Sequence, residues 1–401
     1  MIYSTRIRMA AALCCAVIAT ALTGCAVSGT AVPGEADVRG LETGDYAVDR
    51  HTYDGTAGSK GALVEGMRMS AAVAPSVLID PSLAYGRGGG VVGDVTRALD
   101  FVANVSKPVL EKRKYVTGYV ALGADKVDPA DSKRPGADAT AVTAFVLRFP
   151  DATSATLAAR ELEDVDLAFS PDNRKLTSTR YPAAYLHWRP GVPTIGAFHA
   201  HDQFVISLFI QRPRADAADL ASWVDRALDA QLAQLATFTP TAADKLAELP
   251  VDPDRLLARA VVTDRRGLRP DQYIFGVYDP AHLVNRADDQ TARRQLFEST
   301  GADRVAVVDG GSITRTRDQA GSEALLRGLI ESSDQYDSLP APNDIPGAKC
   351  LVLHASDEDD DPYDYRCYVP YKRYLGIVGA ENEADVRQKI SAQYALLANS
   401  L

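Results

Sequence analysis

Several residue patterns that commonly mark an activity are missing from the sequence. It contains no Gly-x-Ser-x-Gly motif, which presents a serine nucleophile in many hydrolases, and no Cys-x-x-Cys pair. Gly310-Gly311-Ser312 follows a predicted strand, but no helix start comes directly after the serine. These absences argue against a recognisable catalytic centre. With six histidines in the chain, a Ser-His-acid triad assembled from distant residues stays open as an alternative.

Basic residues are outnumbered by acidic ones. The 401 residues include 43 lysines and arginines against 53 aspartates and glutamates, a formal net charge of −10. Because like charges repel, this balance opposes binding to nucleic acid or to other anionic polymers, and we expect no nucleic-acid partner. Apolar residues make up 46% of the chain, which is enough to build a substantial core.

The apolar stretch near the N-terminus is shorter than the about 20 residues of a membrane-spanning helix. It reads AALCCAVIATALTG over residues 11–24, after Arg6 and Arg8 and directly before Cys25. A positive start, a short apolar region and small residues before the cleavage point are typical of a secretory signal. The alternative is a short uncleaved anchor in which Cys25 is an ordinary core residue.

Residues 22–25, Leu-Thr-Gly-Cys, resemble the bacterial lipobox. The resemblance implies cleavage after Gly24 and a diacylglyceryl group on the Cys25 thiol. Two or more acyl chains hold a protein stably on a membrane. We therefore predict a signal peptide over residues 1–24 and an exported lipoprotein whose partner is the cytoplasmic membrane, at its outer face.

Two of the five cysteines remain for the folded, exported chain. Cys14 and Cys15 leave with the signal peptide and Cys25 carries lipid, so Cys350 and Cys367 are left. Strand-like runs surround both, and an exported pair of this kind is expected to oxidise. The sequence therefore predicts a structural disulfide across a hairpin; the alternative is a reactive dithiol.

The order of predicted elements repeats along the chain. The strand 143–149 is followed by an amphipathic helix that opens at Asp151, and the strand 304–308 leads to the helix 319–330. Residues 196–205 align without a gap with residues 366–375, in a register that matches Tyr185 with Cys350 and Ala197 with Cys367. This pattern predicts an internal duplication.

The predicted fold is α+β. It consists of two tandem split β-α-β units, with antiparallel sheets and helices packed on one face. Residues 25–40 are expected to be a flexible tether, since they are small, Gly- and Pro-containing and without periodicity. The first domain is expected over residues 41–240 and the second over residues 241–401.

His199 and His201 lie two positions apart on a predicted strand, so their side chains share one face. With His187 on the neighbouring strand they are candidate metal ligands. The alternative is that they form the polar face of a half-buried strand. We predict no cofactor and no metal centre, with these three histidines as the residues that would bind a metal.

Two other patterns have simple structural interpretations. Gly88-Gly-Gly-Val-Val-Gly93 matches the dinucleotide-binding pattern but follows no strand pattern, so it is predicted to be a flexible loop. The acidic run 357–361 lacks the spaced ligands of a calcium loop and is predicted to be a solvated hairpin tip. In the same hairpin, Tyr371 and Arg373 are candidate binding residues, because tyrosine and arginine are favoured at recognition surfaces; the alternative is packing between sheet and helix.

The lipobox, the AVSGTAVPGE tether, the LETGDY segment over residues 41–46 and the YKRY segment over residues 371–374 form a combined pattern. This pattern resembles a domain-of-unknown-function family of cell-envelope lipoproteins from mycobacteria, nocardiae and related actinobacteria. The resemblance implies membership of that family, which offers no established catalytic residues to carry over and is silent on activity.

The expected function is that of a non-enzymatic binding or sensor-like module. Its ligand would be an envelope component, an apolar small molecule or a partner protein, and the interface between the repeats is the expected pocket. The alternatives are an envelope hydrolase acting on ester or glycan bonds, and a structural or adhesive protein without a ligand-sized pocket.

Overall fold

The computed structural model describes residues 37–130, 132, 134–332, 335–354 and 363–400. The predicted signal peptide, Cys25 and the acidic run 357–361 therefore lie outside the described residues. Residues from Asp37 onward form one compact unit. Of the predicted tether, Val38–Gly40 is a turn of 3₁₀ helix.

The seven strands of the first half form one antiparallel sheet in the order β1-β2-β3-β7-β6-β5-β4. They are β1 (Tyr85–Val92), β2 (Thr117–Ala124), β3 (Ala141–Arg148), β4 (Arg174–Leu176), β5 (Tyr185–Trp188), β6 (Thr194–His201) and β7 (Phe204–Gln211).

The second half repeats this sheet strand for strand, in the order β8-β9-β10-β14-β13-β12-β11, and its pairs are again antiparallel. The strands are β8 (Phe275–Tyr278), β9 (Arg304–Val308), β10 (Gly311–Arg315), β11 (Tyr336–Leu339), β12 (Lys349–Leu353), β13 (Tyr365–Tyr371) and β14 (Tyr374–Ala380). The predicted antiparallel α+β fold and its duplication are confirmed.

Each half contains two long helices in equivalent places, Ala152–Ala168 and Ala217–Leu235 in the first half and Gln319–Glu331 and Glu383–Asn399 in the second. The helices are α1 (Gly61–Arg68), α2 (Ser76–Ile79), α3 (Val95–Ala98), α4 (Lys107–Lys112), α5 (Ala152–Ala168), α6 (Ala217–Leu235), α7 (Ala281–Val284), α8 (Gln290–Thr300), α9 (Gln319–Glu331) and α10 (Glu383–Asn399). The side chains of Asp151, Asp216, Asp318 and Asn382 cap the first turns of α5, α6, α9 and α10. Within the described part of the chain, no helix is both long and apolar enough to cross a membrane.

Helices α5 and α9 make the split β-α-β connections. Because neighbouring strands are antiparallel, β3 and β4 run in the same direction, and strands β7, β6 and β5 lie between them. Helix α5 therefore carries the chain across three strands to the edge of the sheet. Helix α9 does the same between β10 and β11.

The helices cover both faces of each sheet, not the single face that we expected. In β3, Val142 and Ala144 belong to the core under α6, whereas Phe145 and Leu147 belong to the core under α5. Successive strand residues point to opposite faces, so the two helices lie on opposite sides. Strand β3 is apolar on both faces, so each face has to be buried against a helix.

The two central hairpins superpose as the sequence predicts. Asp202 and Lys372 both have φ of 48° in the two-residue turns that join β6 to β7 and β13 to β14. The predicted match of Tyr185 with Cys350 is wrong by one residue. Cys350 pairs with Cys367, and the residue paired with Ala197 is Leu186. A one-residue shift moves a strand side chain to the other face, so the structure, and not the alignment, decides the equivalence.

Glycines in β1 allow the two halves to approach closely. The Gly86 N–H donates to the Ala287 carbonyl at 3.0 Å, and the Gly88 N–H donates to the Asn285 carbonyl at 3.0 Å. A Cβ on Gly86 would lie 2.5 Å from the Ala287 oxygen, and Gly88 has φ of +107°. The expectation of a flexible loop here is therefore wrong. The glycine run is a strand that joins the halves.

Buried polar contacts strengthen this interface between the two halves. The fully buried side chain of Gln290 accepts hydrogen bonds from the Ser76 hydroxyl at 3.1 Å and the Val77 N–H at 3.2 Å. The Tyr119 hydroxyl lies 2.9 Å from Nδ1 of the buried His282. Since a buried polar group without a partner is costly, these pairs favour one relative placement of the two halves.

The predicted Cys350–Cys367 disulfide is confirmed. The two residues lie directly opposite each other on β12 and β13, with 4.1 Å between their Cα atoms, and both are buried. We expect the double variant Cys350→Ala/Cys367→Ala to lose about 3 kcal/mol of unfolding free energy, because the bond restricts the unfolded chain. Urea denaturation of both proteins measures the difference. Equal midpoints would contradict a stabilising role.

Candidate functional site: the cavity between the halves

A cavity of about 570 Å³ lies where the two halves meet. Helix α1 and the segment after α6 form one side of it, and the segment 249–254 with β8 forms the other. Small-molecule sites commonly enclose between about 300 and 1,000 Å³ and occur at domain junctions. The cavity therefore lies where the duplication led us to expect a pocket.

Apolar side chains from both halves make up most of the wall. They are Val64, Met67, Phe238, Leu249, Pro250, Phe275, Val277 and Tyr278. The absence of a side chain at Gly276 lets Met67 pack against β8, since a Cβ there would lie 2.8 Å from the methionine sulfur. Most of the surface offered to a ligand is thus hydrocarbon.

A buried ion-pair network positions one wall. The carboxylate of Glu65 on α1 accepts hydrogen bonds from Arg148 on β3, from Arg68, and from the N–H and hydroxyl of Thr241. Glu65 and Arg148 are buried, so removal of either partner would leave a costly unpaired charge. The network holds the segment after α6 against α1, and it directs Arg68 to the cavity, over the ring of Phe238.

Two aspartates on the opposite wall have different partners from each other. Asp254 forms ion pairs with Arg304 at 3.2 Å and with Arg315 at 3.0 Å. Asp279 accepts a hydrogen bond from the Ala281 N–H at 2.9 Å, and burial raises the pKa of its carboxyl group. The cavity therefore combines apolar walls with a few polar groups that are already oriented.

The described lining of the cavity contains no Ser-His or Cys-His pair. Among the described residues that line it there is no serine, cysteine, histidine or lysine. A hydrolytic site needs a nucleophile within hydrogen-bond reach of a base, or a pair of carboxylates across the bond to be cleaved. The described lining does contain two carboxylates, those of Asp254 and Asp279.

The three candidate metal ligands lie on two faces of the sheet. Leu186 pairs with Ala197 and His187 pairs with Gly196, so His187 points to the α5 side. His199 and His201 share the face of Ala197, on the α6 side. The described part of the chain contains no group of three His, Cys, Asp or Glu residues placed to hold a metal ion.

His187 instead forms a buried pair with an acid. Its Nδ1 atom lies 2.7 Å from Glu163 on α5, and its Nε2 atom lies 3.7 Å from Asp166. His199 packs edge-on against Tyr181, and burial together with the charge of His201 lowers the pKa of its imidazole. These contacts explain two of the three candidates as packing residues.

Tyr371 and Arg373 lie away from the cavity. Tyr371 is buried and packs edge-on against Tyr394 of α10, with 5.5 Å between ring centroids. Arg373 lies over the ring of Tyr374 and borders a shallow groove with Arg317. Neither candidate lines the junction between the halves.

Family models match both halves of the chain. The model described as Domain of unknown function (DUF7373) N-terminal matches residues 52–251, and the model described as Domain of unknown function (DUF7373) C-terminal matches residues 256–400. The chain belongs to the DUF7373 family. The division between the two DUF7373 models falls within the segment that lines the cavity. The predicted membership of a domain-of-unknown-function family is thereby confirmed.

One solved structure similar to this DUF7373 chain is the extracellular domain of PknH from Mycobacterium tuberculosis. It is 11% identical, and the match covers 46% of this chain and 100% of that chain, with a TM-score of 0.25. No curated protein matches the sequence.

Sequence reasoning missed the groups that shape the DUF7373 cavity. Glu65, Arg148 and Thr241 are far apart in the chain, and no local pattern links them. The one available signal was Arg148 itself, a charge within the apolar strand 143–149. Buried charges are paired, so a strand arginine implies an acid that the sequence alone does not identify.

The His187–Glu163 pair predicts a pH-dependent stability. Burial alone would lower the pKa of His187, but the hydrogen bond to Glu163 and the negative charges of Glu163 and Asp166 raise it above its usual value. A raised folded-state pKa contributes stability that is complete below the unfolded value of about 6.5 and is lost as the pH rises through the folded value.

We therefore expect His187→Asn to destabilise the protein more at pH 6 than at pH 8.5, as measured by urea denaturation at both values. The half-exposed His201, which has no close acidic partner like Glu163 within the described residues, offers a matched control, since His201→Asn is expected to change stability little at either pH. An equal loss at both pH values for His187→Asn would contradict a charged pair.

Proposed function

We propose that this protein is an exported, lipid-anchored binding module of the cell envelope, whose cavity between the halves binds a small apolar molecule. The observation that carries the proposal is the cavity itself. It is ligand-sized and mostly apolar, and it has polar groups on two sides. Such a site favours a ligand with a hydrocarbon body and one or two polar atoms, which Arg68 and Asp279 would orient.

The anchor is supported by the sequence of the N-terminus. Arg6, Arg8, the apolar stretch 11–24 and Cys25 follow the order of a lipoprotein signal. The Cys350–Cys367 disulfide fits an oxidising compartment outside the cytoplasm. We infer that the protein comes from an actinobacterium and is attached to the outer face of its cytoplasmic membrane through lipid on Cys25. An envelope component and a partner protein are the two other ligand classes that the sequence suggests.

The anchor predicts a specific consequence for one cysteine. In an actinobacterial host, the wild-type chain is expected in the membrane fraction with the mass of a chain cleaved before Cys25 and diacylated. Cys25→Ser is expected to retain the mass of the unprocessed precursor, because a serine cannot form the thioether. Cys15→Ser, within the segment removed, is the matched control. A lipid-bearing mass on the Cys25→Ser chain would contradict the assignment.

The cavity predicts a bound ligand that one wall substitution displaces. Native mass spectrometry of the mature chain, exported in a related host, is expected to show an added mass that disappears on denaturation. Val277 lines the cavity, and Val277→Trp is expected to remove this mass because the indole ring fills the space. Val127 is 71% exposed and does not line it, so Val127→Trp serves as the control.

Two other outcomes would change the proposal. A bare wild-type mass would exclude tight ligand carriage in the cavity. An added mass that persists in Val277→Trp would move the ligand to another site. Both variants are first compared with the wild type by thermal denaturation, so that loss of fold is not mistaken for loss of ligand.

A hydrolase is the second candidate, and the aspartates of the cavity favour it. Burial raises the pKa of Asp279, which suits a general acid, and Asp254, held by two arginines, is a second carboxylate in the same lining. Turnover of chromogenic esters or glycosides that Asp279→Asn abolishes would support this candidate. The structural or adhesive alternative expects no ligand-sized pocket, and the cavity counts against it.

A further inference from the structure

A second cavity, of about 550 Å³, lies entirely within the second half. It is bounded by α7, α8 and α9 above and by strands β9, β10, β13 and β14 below. None of its described lining residues belongs to the cavity between the halves. The two cavities are therefore separate sites, and each can be tested alone.

The floor of this cavity is one row of side chains across the sheet. Val307 pairs with Ser312, Ser312 pairs with Ile377, and Ile377 pairs with Tyr368. All four line the cavity, and Leu283, Phe297 and Leu329 line it from the helices. This part of the lining is thus mostly apolar, with the small serine at the centre of the row.

The duplication explains why a space exists here. In the first half the equivalent row is Val120, Phe145, Ser207 and Phe198, in the same register. Phe145 occupies the position of Ser312, and its ring is buried against Phe101 and Tyr115. The second half has a serine, and therefore no ring, at the centre of the row. Protein interiors are normally close-packed, so the space that the absent ring leaves unfilled is a candidate ligand site.

The cavity is cationic in an acidic protein. Arg286, Arg293 and Arg366 line it, and none of the lining residues within the described ranges is an aspartate or glutamate. The formal charge of the whole chain is −10, so a lining with three arginines is a local exception. A pocket lined by one sign of charge attracts a ligand of the opposite sign.

Arg293 is the central residue of this site. Its side chain is mostly buried, and its guanidinium group lies 5.9 Å from the ring centroid of Phe297. No hydrogen bond or ion pair to this guanidinium comes from the described residues. Burial also lowers its pKa, an indication that the charge is poorly solvated. A buried charge without a partner is costly, and an anion bound in the cavity would remove that cost.

We propose that this cavity binds an amphiphile with one anionic head group. The hydrocarbon chain would lie over Val307, Ile377 and Tyr368, in the space that Phe145 fills in the first half. The head group would bind to Arg293, with Arg286 and Arg366 at the rim. A carboxylate and a phosphate share the required chemistry, and arginine suits both because its fork of N–H donors can bind two oxygens.

The head group is tested with three ligands that carry the same hydrocarbon chain. Displacement of a fluorescent fatty acid from the mature protein would be measured with decanoate, decyl phosphate and decanol. We expect one or both anions to compete and decanol to compete at least about tenfold less well. The stronger anion distinguishes a free fatty acid from a phospholipid-type head group. Equal competition by decanol would overturn the proposal.

Arg293 is tested against its neighbour. Arg293→Gln is expected to weaken anion binding by about tenfold or more, because it removes the charge that faces the cavity. Arg294 pairs with Glu298 and does not line the cavity, so Arg294→Gln should bind as the wild type does. Equal affinity of the two variants would exclude Arg293 as the anchor.

Ser312→Phe tests the location independently of charge. It restores the ring that the first half has at Phe145, so we expect it to abolish anion binding while the melting temperature is kept or raised. Unchanged binding in Ser312→Phe would place the ligand elsewhere and overturn the proposal. Val277→Trp, in the other cavity, should leave the anion affinity unaltered, so failure at one site is distinguishable from failure at the other.

Discussion

The close approach of the second half to strand β1 is the constraint on which the rest of this structure depends. Backbone N–H groups of Gly86 and Gly88 donate to carbonyls in the turn after α7, at a distance that a side chain on Gly86 would prevent. Around them, Gln290 and His282 pair with polar groups of the first half. Polar pairs of this kind are directional, so they hold the two separate sheets in one relative orientation. That orientation places β8 opposite α1 and thereby creates the cavity between the halves.

The duplication supplies one scaffold, and the differences between its copies supply the local chemistry. Both sheets have the same strand order, the same split β-α-β crossover and the same two-residue hairpin turn. At one cross-strand pair the first copy has Leu186 and Ala197, whereas the second has the disulfide. At the centre of another row the first copy has a phenylalanine and the second a serine. Because the strand order and the pairing of these rows are the same, the first difference adds a covalent link and the second opens a space.

The charge of the protein is distributed in a way that its net value conceals. Glu65 and Arg148 neutralise each other in the interior, and Asp254 is neutralised by two arginines at the wall of the first cavity. Arg286, Arg293 and Arg366 instead line the second cavity, and none of its described lining residues is an aspartate or glutamate. Net charge accordingly describes how the whole surface meets large polymers, whereas a small ligand responds to the few groups within a Debye length of its site.

Local patterns in the sequence were sufficient for strands such as β3 and β9, the long helices, the gap-free hairpin match and the pairing of Cys350 with Cys367, but not for the glycine-rich β1. These features depend on residue period and, for the disulfide, on the two cysteines that lie outside the predicted signal peptide and lipobox. The tertiary structure alone decided which face each helix covers, the register that separates His187 from His199, and both cavities. The physical reason is that a strand of period two has two faces, and only its pairing with distant strands determines what covers each face. Contacts such as Glu65 with Arg148 join residues that no local period connects.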